Sequence, residues 1–281
     1  MKKFSCIKCF SIIATILLMG SCAKIYLPTS NFAPLLEEKG EVKAELSASS
    51  TGLHLSGAVA ATKKLAIVTS GTISYGNFTN RYDLLTVNVE DGDDDNDFAG
   101  NFSTKYGELG LGVYNIPLGI FRMEAFGGAG LGKADDRKEY YRYTRDYDAQ
   151  YYLGYIQMNV GGSIKKFFEY GISLRFATSF YDYSYDTPKL NFSVEDLENS
   201  GYDIESFQDQ TDFSLFHFEP SMFYKIGFNR LKFVYRMGLT TCAEMKAPKQ
   251  TFDEIDVYDG NVDAKNVFMA LGLNVKIGGK K

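Results

Sequence analysis

The 281-residue chain contains no tryptophan, only two histidines, four cysteines and six prolines. Two histidines leave little material for a histidine-rich metal centre or a histidine-based catalytic network. A formal net charge of -5 lacks the basic footprint of a nucleic-acid binder. After the first 22 residues no apolar run reaches the roughly 18 residues that a transmembrane helix needs. No phosphate-binding glycine loop, HExxH or GxSxG is present, so the sequence gives no enzyme motif and implies no cofactor. What it has instead is 27 glycines, 20 tyrosines and 22 phenylalanines, with 45% hydrophobic and 23% charged residues. That composition excludes a disordered chain and suits strands and turns better than helices.

The first residues read as an export signal. Lys2, Lys3 and Lys8 precede an apolar stretch from Phe10 to Met19, and small Gly20 and Ser21 lead into Cys22. The run Leu17-Leu18-Met19-Gly20-Ser21-Cys22 resembles the lipobox of bacterial lipoproteins, with Met19 where leucine is usual. The resemblance implies cleavage before Cys22 and a lipid on its sulfur. Cys6 and Cys9 would leave with the signal, so Cys242 alone would remain and no internal disulfide could form. The expected division is a signal over 1–21, a lipid-anchored tether over 22–39 and one β domain over 40–278.

Beyond the tether, apolar residues recur with period two. Ile172, Leu174 and Phe176 alternate with Ser173, Arg175 and Ala177, and Leu271, Leu273 and Val275 with Gly272, Asn274 and Lys276. Such alternation puts one set of side chains on each face of a sheet. Ten strands are expected, near 41–50, 52–61, 64–76, 104–115, 119–133, 151–164, 168–183, 213–226, 230–242 and 265–277. Eight strands is the nearest alternative. Most have the ~9–11 residues that a tilted strand needs to cross a bilayer.

The links alternate. Short ones fall at Thr51, Thr62-Lys63, Ile116-Pro117-Leu118, Lys165-Lys166 and Phe228-Asn229, and long ones at 77–103, 134–150, 184–212 and 243–264. The long links hold 26 acidic and 8 basic residues, whereas the rest of the chain after the signal holds 9 acidic and 19 basic. Charge is therefore sorted towards opposite ends. Tight turns, long links and an even strand number resemble the outer-membrane β-barrel proteins of Gram-negative bacteria, particularly small lipid-anchored ones. The lead-in Asn31 to Glu41 is similar to theirs. The resemblance implies an all-β fold, a single antiparallel up-and-down transmembrane barrel with periplasmic turns, acidic extracellular loops and both termini periplasmic. Two features depart from it: the chain ends Ile277-Gly278-Gly279-Lys280-Lys281 without a terminal aromatic residue, and it has no tryptophan for aromatic girdles.

With the apolar face outward, Glu108, Arg122, Glu124, Arg175, His217, Glu219, Lys225, Lys232, Arg236 and Lys276 line the lumen. Such charges either brace a closed barrel through salt bridges or line a narrow pore for anionic solutes. Asp91, Asp93, Asp95 and Asp97 form an acidic loop tip, or a weak divalent-cation site bridging to lipopolysaccharide phosphates; the EF-hand pattern is absent. Tyr140, Tyr141, Tyr143, Tyr147, Tyr151 and Tyr152, interspersed with Arg137, Arg142 and Arg145, suit a standing β-hairpin or a binding surface. His54 and His217 fall near the outer strand ends. The expected role is structural or surface-interacting, or that of a narrow pore, with membrane lipid as a partner. The contrasting expectation is a periplasmic lipid-anchored soluble barrel that binds an apolar ligand, with Ile172, Leu174, Phe176, Leu271 and Leu273 lining its cavity.

Overall fold

The computed structural model describes residues 31–49, 52–79, 99–139, 143–165, 167–185, 189–190, 210–228, 230–246 and 266–278. Strands are β1 (Val42–Ser49), β2 (Gly52–Val59), β3 (Leu65–Thr79), β4 (Ala99–Leu118), β5 (Phe121–Glu139), β6 (Tyr143–Ile164), β7 (Phe168–Tyr185), β8 (Lys189–Leu190), β9 (Gln210–Gly227), β10 (Leu231–Lys246) and β11 (Asn266–Ile277). The two-residue β8 adds only a short pairing to β6. The other ten form a closed antiparallel ring in chain order, with β1 paired to both β2 and β11 and β5 paired to β6. Closure leaves none of these ten strands at a free edge.

Alternation decides which face is which. On β7, Ser173, Arg175, Ala177 and Ser179 are buried inside, while Ile172, Phe176 and Phe180 are exposed outside. Leu111 is 65% exposed, Phe233 68% and Leu271 68%, whereas Arg175, Lys225 and Arg236 are 0% exposed. The barrel is apolar outside and charged inside, the inverse of a soluble protein. The soluble-binder expectation required Ile172, Phe176, Leu271 and Leu273 to line a cavity, and their outward orientation excludes that arrangement.

The outer face carries two aromatic clusters on the side formed by β6, β7, β9 and β10. Near the tight turns, Phe168, Tyr170, Tyr224 and Tyr235 stack across β7, β9 and β10 at centroid separations of 5.7 to 6.5 Å, and Phe167 meets Phe228 edge-on. Towards the other end, Phe176 packs against Phe216 and Phe218, with Tyr152 and Phe180 exposed nearby. A strand tilted by about 40° climbs roughly 25 Å between Tyr170 and Phe180. Tyrosine and phenylalanine thus mark two levels on this side of the barrel in a chain that lacks tryptophan.

Two expectations are corrected. The turn expected at Ile116–Leu118 lies at Gly119-Ile120, because the ladder shifts register between Val113 and Ile116, where Asn115 takes φ 55°, and then continues to Leu118↔Phe121. Gly119, at φ +64°, supplies the left-handed residue that the turn needs. Strands also run well into the expected long links: β5 and β6 pair as far as Glu139↔Thr144, leaving only 140–142 of the 134–150 link outside the described residues. A two-stranded ladder satisfies its own backbone, so it persists where apolar alternation stops. Tyr143 and Tyr147 lie on β6, Tyr151 faces inward and Tyr152 outward, and Tyr140 and Tyr141 lie outside the described residues.

Candidate functional site: a charged lumen with a segment inside it

The segment 31–41, expected as lead-in and largely as tether, runs inside the barrel. Asn31, Phe32, Ala33, Leu35 and Leu36 are all buried. From Glu41 back to Asn31 the chain climbs away from the tight turns. Glu37 sits at the turn end, where its carboxylate meets Arg122 Nη1 at 2.7 Å and Asn115 Nδ2 donates to its carbonyl at 2.8 Å. Asn31 lies much higher, donating from Nδ2 to the Glu219 carbonyl at 2.9 Å.

Between these points the wall grips the segment through its backbone. Leu36 N–H donates to Glu124 Oε1 at 2.7 Å, and Glu124 also accepts from Asn159 Nδ2 at 3.2 Å. Lys43 Nζ donates to the Leu35 carbonyl at 2.9 Å, Lys225 Nζ to that of Ala33 at 2.5 Å, and Gln157 Nε2 to that of Phe32 at 2.8 Å. Glu41 folds back to accept from the N–H groups of Glu37 and Glu38. The segment lies in no strand. An extended peptide without sheet partners must satisfy its backbone elsewhere, and the lumen side chains do this. Phe32, Leu35 and Leu36 pack against the wall, Leu36 and Phe32 in a cluster with Tyr114 and Phe126, and Leu35 beside Phe223.

Wall charges pair with one another inside the lumen, on adjacent or next-but-one strands and, for Arg175 and Glu108, three strands apart round the ring. Arg175 on β7 reaches Glu108 on β4 with contacts of 2.6 and 3.0 Å, and its Nε lies 3.4 Å from Glu219 on β9. Its guanidinium also lies 4.1 Å from the centre of the Tyr155 ring. Arg236 on β10 meets Glu45 on β1 at 2.9 Å, and Lys232 meets Glu169 on β7 at 2.5 Å. Lys276 and Lys43 flank Glu41 at 3.1 and 3.5 Å. Desolvating these ions costs several kcal/mol each, so only such mutual pairing makes the lumen tolerable. At the mouth, burial works against a charge on Glu37. The hydrogen bond and charge of Arg122, with the charges of Lys43 and Lys276, outweigh it and hold the Glu37 carboxyl below its usual value.

Above Arg175 the lumen is aromatic. Tyr106, Tyr151 and Tyr181 form a stack with centroid separations of 6.0 and 5.1 Å, and the Tyr106 hydroxyl bonds Glu108. Inward glycines make room for the rings. A Cβ on Gly132 would lie 2.0 Å from Tyr151 Cζ, and one on Gly130 2.5 Å from the Tyr106 hydroxyl. His217 sits 2.5 Å from Ser179 Oγ, and His54 lies between Ser49 and Thr72 at 2.7 and 2.9 Å. Both histidines are buried inside the barrel rather than presented at an open rim.

The structure brings Glu108, Arg175 and Glu219 together, and Lys232 and Arg236 with partners that the sequence reading did not name. Glu124 faces the internal segment instead of a base, and Arg122 and Lys276 stand at the mouth. Sequence reasoning missed Glu41, Lys43, Glu45 and Glu169. For Lys43 and Glu45 the signal was the alternation with Ala44, Leu46 and Ala48, whose small alanines made the outer stripe faint, whereas Glu169 stood in plain alternation between Phe168 and Tyr170. Cys22 and Asp91, Asp93, Asp95 and Asp97 lie outside the described residues, among which no group of three or more metal-ligating side chains converges.

No protein-family model matches the chain, and no curated protein is significantly similar to it in sequence. Among solved structures it resembles CarO of Acinetobacter baumannii, with 10% identity, coverage of 87% of this chain and 99% of that one, and a TM-score of 0.29. It resembles CarO2 of the same organism with 11% identity, coverage of 86% and 100%, and a TM-score of 0.30. Likeness at this level carries no inference about this chain, whose architecture, a closed ten-strand antiparallel barrel, stands on its own strand pairing.

Proposed function

We propose that the chain is an outer-membrane β-barrel with a structural or surface-interacting role, its lumen braced by charge pairs and closed rather than permanently open. One observation carries the reading: the closed ring puts most of its large apolar side chains and two aromatic clusters outside, and the paired charges of Arg175, Lys232 and Arg236 inside. Such a surface is stable in lipid and not in water. Insertion would place the tight turns on the periplasmic side and the longer links outside the cell, as their acidity also supports.

A lipid on Cys22 would add a second tether to the same membrane. The Asp91, Asp93, Asp95 and Asp97 loop would face the medium, where divalent cations could bridge it to lipopolysaccharide phosphates. The lumen bases favour bracing over an anion conduit, because Arg175, Lys232 and Arg236 each contact a wall carboxylate.

The test is an epitope tag between Asp94 and Asp95, probed with antibody before and after permeabilisation, together with flotation of the purified chain with lipid vesicles. Labelling of intact cells and co-flotation are expected. Labelling only after permeabilisation, or a chain that stays in the aqueous fraction, would overturn the reading.

A further inference from the structure

We infer that the β6–β7 and β9–β10 turns together form a docking surface for an anionic phospholipid, whose phosphate meets Lys165 and Arg230 while an acyl chain lies against Phe167 and Phe228. This deepens the membrane-barrel reading and rests on it. The two turns are neighbours. Phe168 and Ile226 face one another across the β7–β9 ladder, the Gly227 N–H donates to the Phe167 carbonyl at 3.0 Å, and the Phe167 and Phe228 rings meet edge-on at 6.3 Å. Ile164, Phe167 and Phe228 are nevertheless exposed, Phe228 by 79%. A turn that ended in water would gain from polar residues at these positions. Apolar tips beside bases instead suit the level where hydrocarbon gives way to headgroups. A base there reaches the phosphates while its stem stays in the apolar layer.

Charge points to the kind of lipid. Lys165 and Arg230 are exposed, neither turn contains a carboxylate, and neither base has an ion pair among the described residues. Lys165 also takes φ 52°, so a cation is held at the tip of its turn in a left-handed conformation that glycine or asparagine adopts more easily. A net-negative lipid offers its phosphate charge uncancelled, whereas the cation of a zwitterionic headgroup competes with the protein bases. Among the described residues, two other tight turns supply only half of this chemistry. Lys63 and Lys64 are exposed in a polar turn, where the Thr62 hydroxyl accepts from the N–H groups of Lys64 and Leu65, and no aromatic ring flanks them. Ile120 is 84% exposed, but the nearest base, Arg122, is engaged by Glu37.

Because the chain has no tryptophan, Phe228→Trp places a single fluorescent reporter at the site. The full-length variant is refolded into phosphatidylcholine vesicles carrying either brominated phosphatidylglycerol or brominated phosphatidylcholine at equal mole fraction. Quenching then gives the relative affinity of the site for the two lipids. Insertion is checked first by flotation of the unaltered chain, and folding by heat-modifiable gel mobility. A full chain that does not co-float refutes the membrane reading itself, separately from any quenching result. The anionic lipid should be preferred by about tenfold or more, the scale set by two bases at an anionic headgroup. Adding Lys165→Ala and Arg230→Ala should bring the two lipids close to parity. Lys63→Ala/Lys64→Ala should leave the preference in place, and Ile120→Trp should report little preference. Millimolar glycerol phosphate should not displace the lipid, because it has no acyl chain to set against the rings. Equal quenching by both lipids at Phe228→Trp would overturn the proposal. So would an equal loss with Lys63→Ala/Lys64→Ala, which would mean a general attraction to the basic end, or displacement by glycerol phosphate, which would mean an anion site without a lipid. If Phe228→Trp does not fold, Phe167→Trp replaces it. If neither folds, the unaltered barrel is extracted in detergent from an equal mixture of the two lipids, and retention of both alike refutes the site.

Discussion

Arg175 and Glu219 stand opposite one another across the β7–β9 ladder, yet the guanidinium makes its shortest contacts, 2.6 and 3.0 Å, with Glu108 on β4, three strands away round the ring. One cation thus ties together three strands, of which β4 has no ladder to the other two. The pair works as a strut, and its worth lies in what its removal would leave behind.

Replacing Arg175 by Met leaves two buried carboxylates without that cation. The expected loss is about 3–5 kcal/mol, typical of breaking a buried ion pair from one side. Adding Glu108→Gln and Glu219→Gln to the same chain should recover most of it. Urea unfolding in lipid vesicles measures both, and equal stabilities for the single and triple variants would contradict the strut.

Position decides the effect of a charge on the outer wall. Leu271→Arg puts a cation where the wall is 68% exposed and apolar, and should cost about 2–4 kcal/mol near the bilayer midplane. The readout is the folded fraction after refolding into vesicles. A neutral result would mean that this face does not meet hydrocarbon.

Two glycines of adjacent strands should answer substitution differently. Gly132 faces the Tyr151 ring, which a Cβ would meet at 2.0 Å, so Gly132→Val should cost about 1–3 kcal/mol through overpacking. Gly107 has nothing within 4 Å of its would-be Cβ, so Gly107→Ala should be neutral or stabilise by up to about 1 kcal/mol. Thermal unfolding of both variants checks the contrast.

The Glu37–Arg122 contact predicts a pH effect at the turn-end mouth. The folded-state pKa of Glu37 lies below its ordinary 4.5. The contribution is therefore complete above that value and is lost as pH falls through the lower folded one. Glu37→Gln should remove this part of the acid sensitivity and leave behaviour at pH 7 with only a small change, since a half-exposed pair contributes little. Proteolysis of the lead-in as a function of pH reads it directly. An unchanged acid profile in the variant would refute the assignment.

Much of the wall was legible in the chain. The alternation of Ile172, Leu174 and Phe176 with Ser173, Arg175 and Ala177 fixes which face of β7 carries which chemistry, because strand side chains have period two. Strand ends were less legible. The reading stopped β6 at Tyr151 because apolar alternation stops there, whereas the ladder continues to Tyr143 on backbone hydrogen bonds that no side-chain pattern reports. The bulge at Asn115 was hidden for the same reason, since it is a backbone conformation and not a composition.

The internal segment shows the division most clearly. Sequence alone determined the period-two wall, the alternation of short and long links and the sorting of charge, because each is a local or cumulative property of the chain. Nothing in Asn31-Phe32-Ala33-Pro34-Leu35-Leu36 says that it fills a barrel. Phe32, Leu35 and Leu36 are too apolar for a solvated tether, but what covers them is set only when ten strands close and leave Glu124, Gln157, Lys43 and Lys225 facing a common axis. Which cation meets which carboxylate was decided in the same step. Arg175 and Glu108 lie 67 residues apart, and only the curvature of the closed sheet brings them within a hydrogen bond.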